Sequence, residues 1–111
     1  MTVTVLNIIP RKHVENIQTA QYTAVNCKTL IDKFTVTNIS AGNVLFSCNL
    51  VPSSGVADNT NLVLKTRAIA PNDTYQCPEL VGQSLEDGGF ISTLVDAATS
   101  LVISATGREI T

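Results

Sequence analysis

S-L-V-I-S-A-T, residues Ser100 to Thr106, places Leu101, Ile103 and Ala105 on one side of an extended chain and Val102, Ser104 and Thr106 on the other. A period of two marks a half-buried strand. It closes a last third, from Ala70 onward, that is punctuated by turn chemistry. Ala70-Pro71-Asn72-Asp73 reads as a turn, Thr74 to Cys77 as a short extended run, and Pro78-Glu79-Leu80-Val81 as one helical turn started by a proline. Asp87-Gly88-Gly89 reads as a turn at positive φ. A hairpin is expected to close the chain, with its last arm held in a sheet and not as a loose tail.

The same alternation recurs upstream. Gln21 to Val25 is a short candidate strand, and in Thr29 to Asn38 the apolar Phe34 and Val36 face away from Thr35 and Thr37. Val44, Phe46, Cys48 and Leu50 alternate with Leu45, Ser47, Asn49 and Val51. The turn-rich Asn38-Ile39-Ser40-Ala41-Gly42-Asn43 between these runs reads as the connection of one hairpin. In Asn61 to Ala70, Leu62, Leu64, Thr66 and Ala68 oppose Val63, Lys65, Arg67 and Ile69, with Lys65 and Arg67 expected together on the outward face. Pro52 to Thr60 is polar and is expected to be an exposed loop.

Two segments allow more than one reading. Ile91, Leu94, Val95 and Ala98 also fit an amphipathic helix, but the β-branched and aromatic residues of Phe90 to Leu94 favour a strand, with Asp96 to Thr99 as a link. Met1 to Ile9 alternates as an edge strand or an extended N-terminal arm ending at Pro10, and Pro10 to Gln18 reads as a loop. Residues 1–18 are thus an arm or edge strand with loop, and 19–111 one β-sandwich domain. Seven or eight short strands about ten residues apart predict an all-β, antiparallel sandwich, Greek-key or jelly-roll-like.

Composition narrows the function. The 111 residues suit one core. Charged residues make up only 14%, against the usual ~25%. Ser, Thr, Asn and Gln fill the surface instead, which suits docking on other protein. A net charge of -2 with scattered Lys and Arg argues against nucleic acid. No apolar run approaches a membrane span and no signal peptide is recognisable, so synthesis in a cytoplasm is expected. Cys27, Cys48 and Cys77 are odd in number and widely spaced, which predicts buried small hydrophobes and not a disulfide frame or metal site.

The chain supplies few groups for catalysis. His13 is the one histidine and lies in the weakly patterned segment, so a Cys-His pair is not expected. Glu86-Asp87 belongs to a glycine turn and not to a carboxylate pair across a cleft. Gly88-Gly89 lacks the surroundings of a phosphate loop. With 5% aromatic residues and no Trp, there is little on which a sugar ring can stack. No catalytic residue, cofactor or metal is expected. A protein–protein module remains.

Several phrases carry a resemblance: Q-T-A-Q-Y-T-A-V-N-C-K-T-L-I-D-K-F-T-V-T-N-I-S (Gln18 to Ser40), L-V-P-S-S-G (Leu50 to Gly55), T-Y-Q-C-P-E-L-V-G (Thr74 to Gly82), G-F-I-S-T-L (Gly89 to Leu94) and I-S-A-T-G-R-E-I-T (Ile103 to Thr111). Over residues 16 to 111 the chain resembles small virion structural proteins of tailed bacteriophages. The resemblance implies a β-sandwich accessory protein made in the host bacterial cytoplasm and carried in the virion. It would be a capsid decoration (cement) protein on the major capsid lattice, or a neck, tail or collar component, assembled as a trimer or ring. A carbohydrate- or receptor-binding sandwich is the alternative of another class. Thr2, Val3, Thr4, Val5, Lys65, Arg67 and Arg108 are the candidate contact residues. The first four would add a strand to a neighbour's sheet edge.

Overall fold

Alternating runs of β-branched and apolar residues can satisfy their backbone only by pairing with other strands. The computed structural model describes residues 1–111, and nine strands carry the chain with no helix. They are β1 (Val3–His13), β2 (Thr19–Thr23), β3 (Lys28–Asn38), β4 (Val44–Val51), β5 (Leu62–Ile69), β6 (Thr74–Tyr75), β7 (Ser84–Leu85), β8 (Phe90–Val95) and β9 (Leu101–Ile110). β6 and β7 lie along the same side of β3 and act as two pieces of one interrupted strand.

With that pair counted as one, the antiparallel pairs β1·β9, β2·β8, β3·β6/β7 and β4·β5 nest like rungs of one long hairpin, its tip between Val51 and Leu62. Rolling that hairpin adds the pairs β3·β9 and β4·β8. The result is two sheets, β1-β9-β3-β6 with β7 also on β3, and β2-β8-β4-β5. This is the strand order of a jelly roll. The expected all-β antiparallel sandwich is therefore present.

Its core is one cluster drawn from both sheets. Phe34, Val36, Ile103 and Ala105 come from the first sheet, and Phe46, Cys48, Ile91 and Val95 from the second. The β9 alternation holds as read: Leu101, Ile103 and Ala105 are buried, and Val102, Ser104 and Thr106 are half-buried. Phe90–Val95 is a strand and Asp96–Thr99 a link, as preferred, because Ile91, Thr93 and Val95 all point inward at period two.

Neither expected hairpin forms. β3 and β4 lie in different sheets, as do β8 and β9; only β4 and β5 pair as chain neighbours. Both ends of each link bury an apolar face against the opposite sheet, so the link crosses the core edge as an arch. Asn38 fixes the first arch. Its fully buried amide donates to the Gly42 carbonyl (2.9 Å) and the Ile69 carbonyl (2.8 Å), and its Oδ1 accepts from the Ser40 N–H (2.8 Å) and Oγ (2.7 Å). The two arches then bind each other, Ile39 N–H to the Ser100 carbonyl at 2.9 Å and Leu45 N–H to Asp96 Oδ1 at 2.9 Å.

Four further expectations are corrected. The first strand does not stop at Pro10 but continues to His13, with register shifts between Leu6 and Ile9 and between Ile9 and Lys12. An edge strand tolerates proline because one side of its ladder is empty. Nor are residues 1–9 a free arm: Ile8 and Ile9 belong to the core, and Thr2 and Thr111 exchange backbone hydrogen bonds at 3.1 and 2.9 Å. In β5, Thr66 takes φ 48° and its N–H is held by Ser47 Oγ at 2.9 Å, which breaks the alternation. Pro78–Gly82 is a pair of successive turns and not a helical turn, closed by Leu80 N–H to the Cys77 carbonyl (2.9 Å) and Gln83 N–H to the Leu80 carbonyl (3.2 Å).

The Pro52–Thr60 loop is exposed, as expected, and yet it is pinned. Buried Asn49 donates to the Asp58 carbonyl (2.9 Å) and Asn61 Oδ1 (2.7 Å), and Asp58 Oδ1 caps the Thr60 N–H (2.8 Å). Gly88, at φ 85°, is where this loop meets the next turn. A Cβ there would lie 2.3 Å from Ser53 Oγ.

Candidate functional site

A sheet edge is an array of unpaired N–H and C=O groups, and it invites another strand unless something blunts it. Four edges exist here. On the β3 side of the first sheet the edge strand is broken into the two-residue pieces β6 and β7 around the Pro78 turns. β5 is interrupted at Thr66 and carries Lys65 and Arg67. β2 has five residues with a register shift between Ala20 and Tyr22. The second half of β1 has two shifts, Pro10, Arg11 and Lys12.

The first half of β1 has none of these devices. Val3, Thr4, Val5 and Leu6 pair in unbroken register with Ile110, Glu109, Arg108 and Gly107 of β9. Val3 is 48% and Val5 73% exposed. Directly opposed residues share a face, so Val3, Val5 and Ile110 form an apolar strip on the outer face, with Arg108 beside Val5. Thr2–Leu6 is a regular, uncharged edge.

The candidate contact residues are thus partly gathered. Thr2, Val3, Thr4, Val5 and Arg108 meet at this edge. Lys65 and Arg67 do not join them, nor do they share a face. The Arg67 guanidinium sits 4.4 Å from the Tyr75 ring centroid in the facing sheet. Lys65 lines a shallow concavity of about 290 Å³ on the outer face of the second sheet, with Gln18, Ser47 and Asn49. Arg108 is engaged: its Nε and Nη2 lie 3.0 and 2.9 Å from the Asp32 carboxylate, and that carboxylate raises its pKa further.

The edge is tied to the second sheet from behind. Glu109, opposite Thr4, reaches inward, and Tyr22 Oη donates to its Oε2 at 2.5 Å. Tyr22 also bonds fully buried Thr29 at 2.7 Å. Burial and the Glu109 bond both favour the protonated phenol and push its pKa up. Gly107 opposite Leu6 allows β9 to press on β3, because a Cβ there would fall 2.5 Å from the Leu30 carbonyl oxygen.

The groups considered for chemistry are dispersed. His13 is exposed at the end of β1, whereas Cys27, Cys48 and Cys77 are free and buried. Burial raises the Cys48 thiol and pushes Cys77 up to about 12, so both stay protonated at neutral pH. Asp87 accepts the Asn26 N–H (2.8 Å) and Glu86 pairs with Lys28 (3.2 Å), which makes them turn fasteners.

Sequence reasoning missed a second feature of the first sheet. On its outer face a concavity of about 340 Å³ is lined by Asn7, Arg11, Lys33, Thr35, Ser104 and Thr106. Its sequence signal was weak because Arg11 and Lys33 are far apart in the chain, and only the β1·β9·β3 order brings them together. No protein family, curated protein or solved structure matches the chain.

Proposed function

We propose that the protein is a structural component of a bacteriophage virion, a capsid decoration protein that binds the outside of the major capsid lattice and joins copies of itself there. The observation that carries this reading is the Thr2–Leu6 edge. It is unbroken, uncharged and exposed in a jelly roll that blunts each of its other edges. Strand addition at such an edge gives main-chain hydrogen bonds without needing a deep pocket. The low-charge, Thr- and Asn-rich surface and the resemblance of residues 16–111 to small virion structural proteins support the same reading. A neck, tail or collar position is the alternative within this class.

Point substitution is the suitable test, because truncation of residues 1–9 would remove Ile8 and Ile9 from the core. Val5→Lys adds an edge charge at an exposed site. Binding to empty capsids and the oligomer seen by light scattering should both fall while the fold persists. Unchanged binding by Val5→Lys would remove the edge from the proposal. Copy number per particle separates the stations: hundreds for a shell protein, a dozen or fewer for a neck ring.

A further inference from the structure

We infer that the outer face of the first sheet holds a binding site for an acidic sugar residue, one that carries a carboxylate or sulfate among its ring hydroxyls. This inference is independent of the capsid proposal.

Three observations converge. The first is the fate of the cations. Of the seven Lys and Arg, Lys12 is paired with Glu15, Lys28 with Glu86 and Arg108 with Asp32, and Arg67 stacks on Tyr75. Arg11, Lys33 and Lys65 have no such partner, and two of the three line one concavity. Asp32, the carboxylate next to Lys33 in the chain, is already engaged by Arg108.

The second is backbone geometry. β9 is flanked by β1 on one side and β3 on the other, and each flanking strand shifts register beside the site, β1 between Ile9 and Lys12 and β3 between Ile31 and Lys33. Bulges re-aim side chains. Here they bring Arg11 and Lys33 to the same concavity over Ser104 and Thr106 from opposite sides. A local excess of two positive charges arises on a chain whose net charge is -2.

The third is the lining. Between the cations stand the Asn7 amide and the Thr35, Ser104 and Thr106 hydroxyls, with Ala105 the one hydrophobic residue. Protein hot spots centre on Trp, Tyr and Arg anchors packed in desolvated pockets, and this open polar surface has no aromatic residue. It offers two charged donors for an oxyanion and four uncharged groups that donate and accept, as ring hydroxyls require. About 340 Å³ lies at the lower end of the usual range for ligand sites and admits a sugar residue.

The test is a titration of the whole isotope-labelled protein, followed by amide NMR, with trigalacturonate, a sulfated trisaccharide, neutral maltotriose and sodium acetate. Saturable shifts confined to Asn7–Arg11, Lys33–Thr35 and Ser104–Thr106 are expected with the carboxylated or the sulfated sugar, and whichever binds identifies the oxyanion. Added salt should weaken the binding. Lys33→Ala and Arg11→Ala should each lower affinity about tenfold or more, as expected for loss of one charge-assisted contact, with the rest of the spectrum unchanged. Equal response to maltotriose would overturn the role of the cations, and acetate binding as tightly as the sugars would overturn the sugar class. No saturable shift with either acidic sugar would overturn the site itself.

Discussion

The two halves of β1 pair with the same neighbour, yet they treat their free edges in opposite ways. Val3–Leu6 keeps unbroken register with Gly107–Ile110, whereas the stretch from Asn7 to His13 shifts twice and carries Pro10, Arg11 and Lys12. The first half presents an open ladder that another strand can join. The second gives up that ladder, and its irregularity is what turns Arg11 toward Lys33. Edge protection and ligand recognition are therefore two results of the same bulges, and contact with a partner strand is left to the regular half.

The largest expected effect lies at the boundary between the halves. Gly107→Ala would set a methyl 2.5 Å from the Leu30 carbonyl and 3.2 Å from Ile8 Cδ1. The strands cannot part without disturbing both the open edge and the core, so a loss of about 3 kcal/mol is expected, at the upper end for overpacking. Thermal unfolding should show a drop of roughly 10 °C. An unchanged melting temperature would mean that β9 does not press on β3 as described.

Tyr22→Phe is the next test, directed at the inward tie behind the open half. It leaves the Glu109 carboxylate short of a donor and the buried Thr29 hydroxyl short of an acceptor, at a cost of about 2 kcal/mol. Denaturant unfolding should give a lower midpoint at unchanged slope. If the midpoint holds, the tie to the second sheet contributes nothing to the edge.

Val5→Lys should leave stability within about 0.5 kcal/mol, since surface positions tolerate change, and should reduce self-association. Its mirror image is Pro10→Val, which restores a donor to the blunted half. Sedimentation at rising concentration should show more association for that variant than for the native chain. Equal behaviour of the two variants would erase the distinction between the halves.

The smallest effect is in pH. Glu15 beside the blunted half has its carboxyl lowered by the Lys12 bond first and the Gln21 bond after it, with burial opposing them. A lowered folded-state pKa contributes stability that is complete above the ordinary value near 4.5 and is lost as pH falls through the lower folded value. Because the pair is partly exposed, its share is under about 1 kcal/mol. Comparing Glu15→Gln with the native chain from pH 6 down to about 2 should show the two stability curves converging at the acid end. A constant gap would contradict the sign.

Side-chain alternation by itself determined much of this protein. Leu101, Ile103 and Ala105 against Val102, Ser104 and Thr106 required a strand with one buried face, and the turn residues at Ala70–Asp73 and Asp87–Gly89 placed its breaks correctly. Such patterns are local, because a strand's two faces depend only on its own residues. Pairing is not local. Asn38–Asn43 looks like a hairpin turn in sequence, but Asn38 reaches Ile69, thirty-one residues away, and makes the segment an arch between sheets.

The same reason explains Lys65 and Arg67, which alternate correctly in sequence and are separated by a bulge whose donor is held by Ser47 on another strand. Which edge stays open, and which two cations share a concavity, depended on strand order and register. Those are set by how two apolar faces fit together across the core, a property of the whole rolled hairpin that no single stretch of its chain contains.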